Sequence, residues 1–232
     1  ALKLAGIDAH GPPDPVGGEI ERDPETREPT GVLKESAMDL VDRFIPKPTR
    51  PERREALLRA MKHANSFGIT SVDDMSQLAD LEVFRQASEE GTLTVRITAY
   101  LSVEDWSARL EDAVQAKELW IFPMFRLAGF KGFMDGSLGS RTAYMREPYS
   151  DAAATTPYPR GQLTAFASSQ PFGRQVAQVA AKDLQMAVHA IGDEGIHLLL
   201  NAYEAAAKQN GSTDRRHRVE HAQHLRVSDI PR

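Results

Sequence analysis

Three short apolar segments of the chain each carry one side chain that could bind a metal ion. They are FKGFMDG with Lys131, QMAVHAIGD with His189, and RVEHAQ with His221. The two histidines are 32 residues apart, which is about one strand–helix unit. If the segments form neighbouring parallel strands, these side chains open onto the same end of the sheet. A lone histidine near a strand end is more often structural, but two at one end make a metal site an equal alternative.

Lys131 is unusual because it lies within an apolar segment. Burying an ammonium group is costly, so such a lysine is paired with a carboxylate, has a lowered pKa, or is chemically modified. A neutral lysine amine can take up carbon dioxide and become a carbamate, an oxygen ligand that can bridge two metal ions. The alternative interpretation is an ion pair between Lys131 and Asp135 or Asp193.

The segment DGSLGSRT, which follows Lys131 closely, predicts a binding site for polar groups of a substrate. Its glycines permit a tight backbone path, and we assign substrate binding to Asp135, Ser137 and Arg141. The Arg141 guanidinium could clamp a carboxylate. The alternative is a loop that merely needs glycine. We place Asp193 behind the metal ligands, as a residue that supports them.

Other acidic residues near predicted strand ends are interpreted more simply. Asp73 and Asp74 follow a predicted strand, and helix capping is favoured over a role in orienting metal ligands. Glu220 immediately precedes His221, and in a regular strand the two side chains point to opposite faces. No catalytic general base is assigned within the chain.

Apolar spacing predicts short strands that alternate with helices, which is typical of a parallel α/β sheet. The predicted strands are 69–72, 95–101, 127–134, 186–190 and 216–220. The predicted helices, with their caps, are 49–68, 78–91, 102–119, 170–182 and 195–209. An open, doubly wound sheet fits the alternation nearly as well, although the chain has no G-x-G-x-x-G loop. The connection at 136–165 is long, and a long loop in a compact domain is usually functional.

Two regions are expected. Residues 1–48 form an irregular segment, with an exposed hairpin or loop over 19–30 and a short helix over 36–44. Residues 49–232 form the α/β domain that carries the candidate site. The irregular segment is interpreted as a surface subdomain, because loops with this composition lie on protein surfaces.

Composition excludes several classes of partner and site. The chain has 232 residues, a net charge of −5 and no cysteine. The acidic balance argues against nucleic acid and membrane partners. The partner expected from the candidate site is a small-molecule substrate. Without cysteine, a metal must be held by His, Asp, Glu or a modified Lys. No compartment is assigned, and the cytoplasm is the default expectation.

Taken together, the motifs resemble the amidohydrolase superfamily, in particular the amidohydrolase-3 branch that includes N-substituted formamide deformylases. The matching stretches occur in the family's order and are LAGI, GVL, GITSVD, FKGFMDGSLGSRT, the pair Pro148-Tyr149, VHAIGD and RHRVEHAQ. The resemblance implies a (β/α)8 TIM barrel with a metal centre at the carboxyl ends of its strands. It also implies that Lys131 is a carbamylated lysine and that His189 and His221 are ligands of one or two divalent ions, with zinc expected. The implied activity is hydrolysis of a C–N bond in a small amide or formamide by a metal-activated water.

The chain departs from the family pattern in ways that shape the expectation. It contains no H-x-H pair, and the catalytic aspartate of the last barrel strand is expected beyond Arg232. We therefore expect the chain to form about strands 2 to 6 of the barrel, incomplete at both ends. Such a chain should be inactive alone, and it should associate with itself through its open sheet edges. The alternatives are a metal-free binding or structural module on the same scaffold, and a metal-dependent C–O hydrolase or isomerase.

Overall fold

The computed structural model describes residues 1–103, 106–119, 122–152, 157–169, 172–211 and 213–232. The N-terminal segment contains helix α1 (Leu2–Ala5) and an antiparallel hairpin of β1 (Gly18–Arg22) and β2 (Pro29–Glu35). A 3-10 turn and the short helix α2 (Asp39–Asp42) follow. This segment has a small core of its own, formed by Ile7, Ile20, Ala37 and Val41. The hairpin and the short helix predicted here are confirmed.

The rest of the chain alternates between helices and strands. The helices are α3 (Arg50–Ser66), α4 (Leu78–Glu89), α5 (Trp106–Leu119), α6 (Ala165–Ser168), α7 (Phe172–Ala181) and α8 (Asp193–Asn210). The strands are β3 (Ser71–Ser76), β4 (Arg96–Ser102), β5 (Phe125–Phe133), β6 (Gln185–Ala190) and β7 (Arg218–His221). The predicted start of a helix at Gln170 lies outside the described residues, as do residues 104 and 105 of the helix predicted from Ser102.

The five strands from β3 to β7 form one sheet in sequence order, and every neighbouring pair is parallel. Each connection between neighbouring strands therefore leads in the same direction across the sheet. Since such crossovers are right-handed, their helices lie on one face of the sheet and the other face is left open. A doubly wound sheet reverses its strand order at a switch point. No such reversal occurs in the described sheet, so that alternative was wrong.

The sheet is strongly curled. Arg218 Nη1, on the last strand, lies 2.6 Å from Asp73 Oδ2 on the first strand. A flat sheet would separate these strands by four spacings, or roughly 19 Å, which an arginine and an aspartate side chain cannot bridge together. The open face is therefore the concave inside of a half-barrel, and the helices cover its convex side.

The main core fills the space between the convex side of the sheet and the helices. The strands β5 and β6 contribute Phe130, Met186 and Val188, which are completely buried. At the start of α3, Glu52 Oε2 accepts from the Thr49 amide at 2.7 Å, as the capping-box spacing predicts. No helix among the described residues is long and apolar enough to cross a membrane.

The helix-capping role predicted for Asp73 and Asp74 was wrong. Asp73 and Asp74 lie inside β3 rather than at a helix cap. The strand begins and ends later than predicted, and Gln77 is the residue that caps α4, with its amide donating to Asp80 Oδ2 at 2.9 Å. Two adjacent aspartates disfavour a strand by propensity. Here the ion pair of Asp73 with Arg218 compensates for that preference.

Candidate functional site

Lys131 lies two residues before the end of β5, opposite Ala187 of β6 in the strand register. Its side chain is 7% exposed, and its Nζ donates to the Gly132 carbonyl at 2.7 Å. The same nitrogen lies 3.6 Å from the centroid of the Phe133 ring. Burial lowers the pKa of Lys131 to about 8, although the nearby Glu220 carboxylate acts in the opposite direction.

The ion pair considered for Lys131 is not found. Within the described residues, no carboxylate lies within ion-pair distance of its nitrogen. Asp135 and Asp193, the two candidates, bind backbone amides instead. The lysine is thus buried without a direct counter-ion, so a sizeable fraction is a neutral amine at mildly alkaline pH.

A backbone carbonyl determines which ring nitrogen of His189, at the end of β6, carries the proton. Its Nε2 lies 2.8 Å from the Gly136 oxygen, and a carbonyl oxygen can only accept. The proton of the ring is therefore on Nε2, and Nδ1 carries the free lone pair. Burial lowers the pKa of His189, so the ring is neutral near pH 7, which is the form that binds metals.

His221 ends β7 in a way that brings its ring to His189. The ring centroids are 4.7 Å apart at an interplanar angle of 71°. His221 is opposite Ala190 in the register, whereas Glu220 is opposite His189. A regular strand would thus place Glu220, not His221, beside His189. The left-handed backbone at His221 (φ 73°) and Ala222 (φ 46°) breaks this alternation, so that both residues reach the same end of the concave face.

Asp135 is the best-satisfied carboxylate near the site. It is 1% exposed, and it accepts hydrogen bonds from three backbone amides, those of Tyr144, Ile191 and Gly192, at 2.8 to 3.0 Å. Its Oδ1 is also 3.6 Å from His189 Nε2. Burial raises the pKa of Asp135, and the amide hydrogen bonds oppose that shift. Through these hydrogen bonds, Asp135 holds the loop after β5 against the turn after β6.

The other predicted site residues are more widely spread. The Ser137 hydroxyl is 2.9 Å from Ser140 Oγ in a half-buried turn. Arg141 is exposed and forms an ion pair with Asp151 at 2.5 Å. Asp193 Oδ1 accepts from the Arg146 amide at 2.8 Å, and this bond ties the start of α8 to the loop rather than to a histidine. Their roles in binding or support stay predictions.

Sequence reasoning missed two side chains that surround the lysine. Phe133 is two residues after Lys131 in β5, so the strand period of two already places both on one face. Its ring centroid lies 5.4 Å from that of His189. Glu220 was assigned to the opposite face, yet its charge acts on Lys131 and it pairs with Arg218 Nε at 2.7 Å.

The donors present fit a divalent cation only if Lys131 takes part. Across the described residues, no three His, Asp or Glu side chains are grouped to hold a metal ion. Two adjacent imidazoles supply two ligands, and a carbamate on Lys131 would supply oxygen ligands. The buried amine with its lowered pKa is suited to that modification, because the neutral form is the nucleophile.

Comparison with known proteins gives a consistent picture. Protein LONG AFTER FAR-RED 3 of Arabidopsis thaliana is 35% identical over 239 residues, covering 97% of this chain and 39% of that protein. The putative amidohydrolase YtcJ of Bacillus subtilis (strain 168) is 32% identical, covering 93% of this chain and 39% of that protein. The crystal structure of an uncharacterized metal-dependent hydrolase from Pyrococcus horikoshii matches with a TM-score of 0.65 and 26% identity, over 89% of this chain and 39% of that one.

The chain therefore spans about two fifths of the length of the curated relatives it matches, 39% of each. A model of the amidohydrolase family matches residues 1–232. The resemblance expected from the motifs is thus confirmed, and the chain belongs to the amidohydrolase family.

Proposed function

We propose that this chain supplies the metal centre of a hydrolase that cleaves a C–N bond in a small amide-like or formamide-like substrate. The observation that carries the proposal is Lys131, a buried lysine without a direct counter-ion that shares its end of the sheet with two adjacent histidines. Membership of the amidohydrolase family supports the reaction class. The half-barrel sheet supports a place within a (β/α)8 barrel.

Each of the three side chains has a defined task in this proposal. The neutral Lys131 amine attacks the carbon of carbon dioxide and loses one proton, which yields a carbamate with two oxygen ligands. His189 binds through Nδ1, because the Gly136 carbonyl holds the proton on Nε2. His221 binds through a ring nitrogen that has no hydrogen-bond partner among the described residues. A divalent cation held by these residues, with zinc as the expectation, would lower the pKa of water and polarise the substrate carbonyl.

The surroundings of the three ligands suit a small polar substrate. Phe133 is half exposed beside Lys131 and His189, so it forms an apolar wall. Ser137 and Arg141 lie on the loop that leaves β5 at the same end of the sheet. We assign them to substrate contact, with Arg141 released from Asp151 when a substrate carboxylate takes its place. Asp135 keeps that loop against β6 through its three amide bonds.

The first test is the metal content of the chain, purified with bicarbonate and zinc and then desalted. We expect about one tightly held metal ion per chain, and its loss in His189→Ala, His221→Ala and Lys131→Met. His10→Ala is the matched control, because His10 is exposed and lies in the N-terminal segment. Omission of bicarbonate should lower the metal content of the wild type but leave that of Lys131→Met unchanged.

A folded wild-type chain that retains no metal would contradict the metal centre. It would favour the metal-free module on the same scaffold. In that case Lys131→Met should be harmless or stabilising even with zinc and bicarbonate present, because a module without a metal needs no amine at this buried position. Substrate profiling of a longer protein that contains this chain would separate C–N hydrolysis from C–O hydrolysis and isomerisation.

A further inference from the structure

The last residue of the N-terminal hairpin reaches the loop of the candidate site. Glu35 Oε1 accepts a hydrogen bond from the Thr142 hydroxyl at 2.8 Å. Glu35 is half buried and Thr142 is 5% exposed, so this bond is largely protected from water. The backbone of Glu35 has a positive φ (50°), a conformation that a non-glycine residue keeps only where its surroundings hold it.

The directions of the hydrogen bonds at Thr142 follow from its donor inventory. A hydroxyl has one proton, and the Thr142 hydroxyl donates it to Glu35 Oε1. Its oxygen then accepts from the Ser137 amide at 3.0 Å. With that proton used, the Ser140 hydroxyl, 2.6 Å away, is the donor to the remaining lone pair, and it also lies 3.5 Å from Glu35 Oε1. Every hydrogen-bonding position of the Thr142 hydroxyl is therefore used, and its orientation is fixed.

The Ser137 amide belongs to the same peptide unit as the Gly136 carbonyl. A trans peptide is planar, and its N–H and C=O point in opposite directions. The Thr142 oxygen that holds the Ser137 N–H therefore aims the Gly136 carbonyl the other way, where it lies 2.8 Å from His189 Nε2. Glycine is required at 136, because a Cβ there would overlap both Thr142 Oγ1 and Glu35 Oε1.

We propose that Glu35 is a positioning residue for His189, acting through the Thr142 hydroxyl and the Gly136–Ser137 peptide. The carboxylate orients the hydroxyl, the hydroxyl fixes the peptide, and the peptide carbonyl holds the imidazole proton on Nε2. The N-terminal segment thereby sets which nitrogen of His189 is free to bind. That part of the inference rests on the proposed function, whereas the hydrogen-bond chain itself does not require a metal.

The test reads the tautomer of His189 by two-bond 1H–15N correlation NMR on the metal-free chain at slightly alkaline pH, followed by zinc titration. Wild type should show one tautomer with the proton on Nε2. Glu35→Ala and Thr142→Val should each give a mixture of tautomers and bind zinc roughly 10-fold more weakly, as removal of groups that orient ligands does. Thr142→Val preserves volume, so it serves if Glu35→Ala does not fold.

Glu28→Ala is the matched control, since Glu28 is an exposed glutamate of the same hairpin region. It should leave both the tautomer and the zinc affinity unchanged. The double variant Glu35→Ala/Thr142→Val should be no worse than either single variant, because both break one chain of contacts.

The outcomes separate this inference from the proposed function. A single Nε2-protonated tautomer and wild-type zinc affinity in folded Thr142→Val would overturn the role of Glu35 while leaving the metal centre intact. A wild type that does not bind zinc, but whose tautomer changes in both variants, would reject the metal centre and support the positioning role.

Discussion

The amine of Lys131 lies 3.6 Å from the centroid of the Phe133 ring and 2.7 Å from the Gly132 carbonyl oxygen. Both contacts come from the strand that carries the lysine, because Gly132 and Phe133 are the next two residues of β5. They solvate the ammonium only in part, which is why burial prevails and the pKa of Lys131 falls to about 8. The strand thus holds an amine that is poised to lose its proton.

This burial has a measurable dependence on pH. The folded pKa of Lys131 is lowered from 10.5 to about 8, so between these values the unfolded chain binds a proton that the folded chain has released. The free energy of unfolding should therefore rise with pH through this window. Below about pH 8, Lys131→Met should be more stable than wild type by up to about 3 kcal/mol, and the difference should vanish near pH 10.5.

Urea unfolding of both proteins from pH 7 to pH 10.5 measures this difference, with metal and carbon dioxide removed. Lys62→Met is the control, because Lys62 is exposed on α3. Its effect on stability should not depend on pH over this range. A constant difference between wild type and Lys131→Met would show that the lysine is not destabilised by burial.

Asp135→Asn should loosen the loop after β5. Asparagine has only one acceptor oxygen, so it cannot accept from all three amides that now bind Asp135. At least one buried N–H would lose its partner, at a cost of about 1–3 kcal/mol in the free energy of unfolding. Thermal and urea unfolding measure this cost. Asp151→Asn, at an exposed site of the same loop, should change stability by much less. Equal effects would contradict the view that the hydrogen bonds of Asp135 hold the loop.

Arg218 should hold the curl of the sheet. It pairs with Asp73 at 2.6 Å and with Glu220 at 2.7 Å, and it lies 3.1 Å from the Tyr100 hydroxyl. Arg218→Met leaves two carboxylates without their cation, so it should destabilise the fold by more than Asp73→Asn does. We expect Arg218→Met to lower the free energy of unfolding by roughly 1–3 kcal/mol. In the double variant Arg218→Met/Asp73→Asn, the loss should be smaller than the sum of the two single losses, because both changes remove the same contact.

The exposed pair Arg59–Glu55 on α3 provides the comparison for Arg218. Arg59→Met should cost less than about 0.5 kcal/mol, as isolated helical surface pairs do. If Arg218→Met is as mild as Arg59→Met in urea unfolding, the contact across the half-barrel does not stabilise its curvature.

We also expect the chain to associate at its sheet edges. In the described sheet, β3 and β7 each have a strand neighbour on one side only. Light scattering should therefore show oligomers that increase with concentration. Met75→Lys places a charge at a 46% exposed position of β3 and should weaken association. Leu225→Lys, at a 47% exposed loop position, should not. A monomer over the whole concentration range would contradict this expectation.

The sequence by itself determined the class of fold and where Lys131, His189 and His221 lie along its strands. Alternation of apolar segments with helices left the strand order open, because a doubly wound sheet fits it nearly as well. The alternation does indicate a parallel sheet, in which the carboxyl ends of the strands lie at one end whatever their order. The positions of Lys131, His189 and His221 within those segments therefore fixed the end of the sheet at which they meet. The family motifs pointed the same way, and the helix that begins after Thr49 followed from local capping alone.

Only the tertiary structure decided the contacts that tune those residues. The curl brings Arg218 to Asp73 across 145 positions of sequence, and no local pattern encodes that distance. The left-handed backbone at His221 overrides the strand alternation, which is why Glu220 was placed on the wrong face. Glu35 contacts Thr142 across 107 positions. Such contacts depend on how separate segments pack, because hydrogen-bond partners far apart in sequence are chosen by the fold and not by their neighbours.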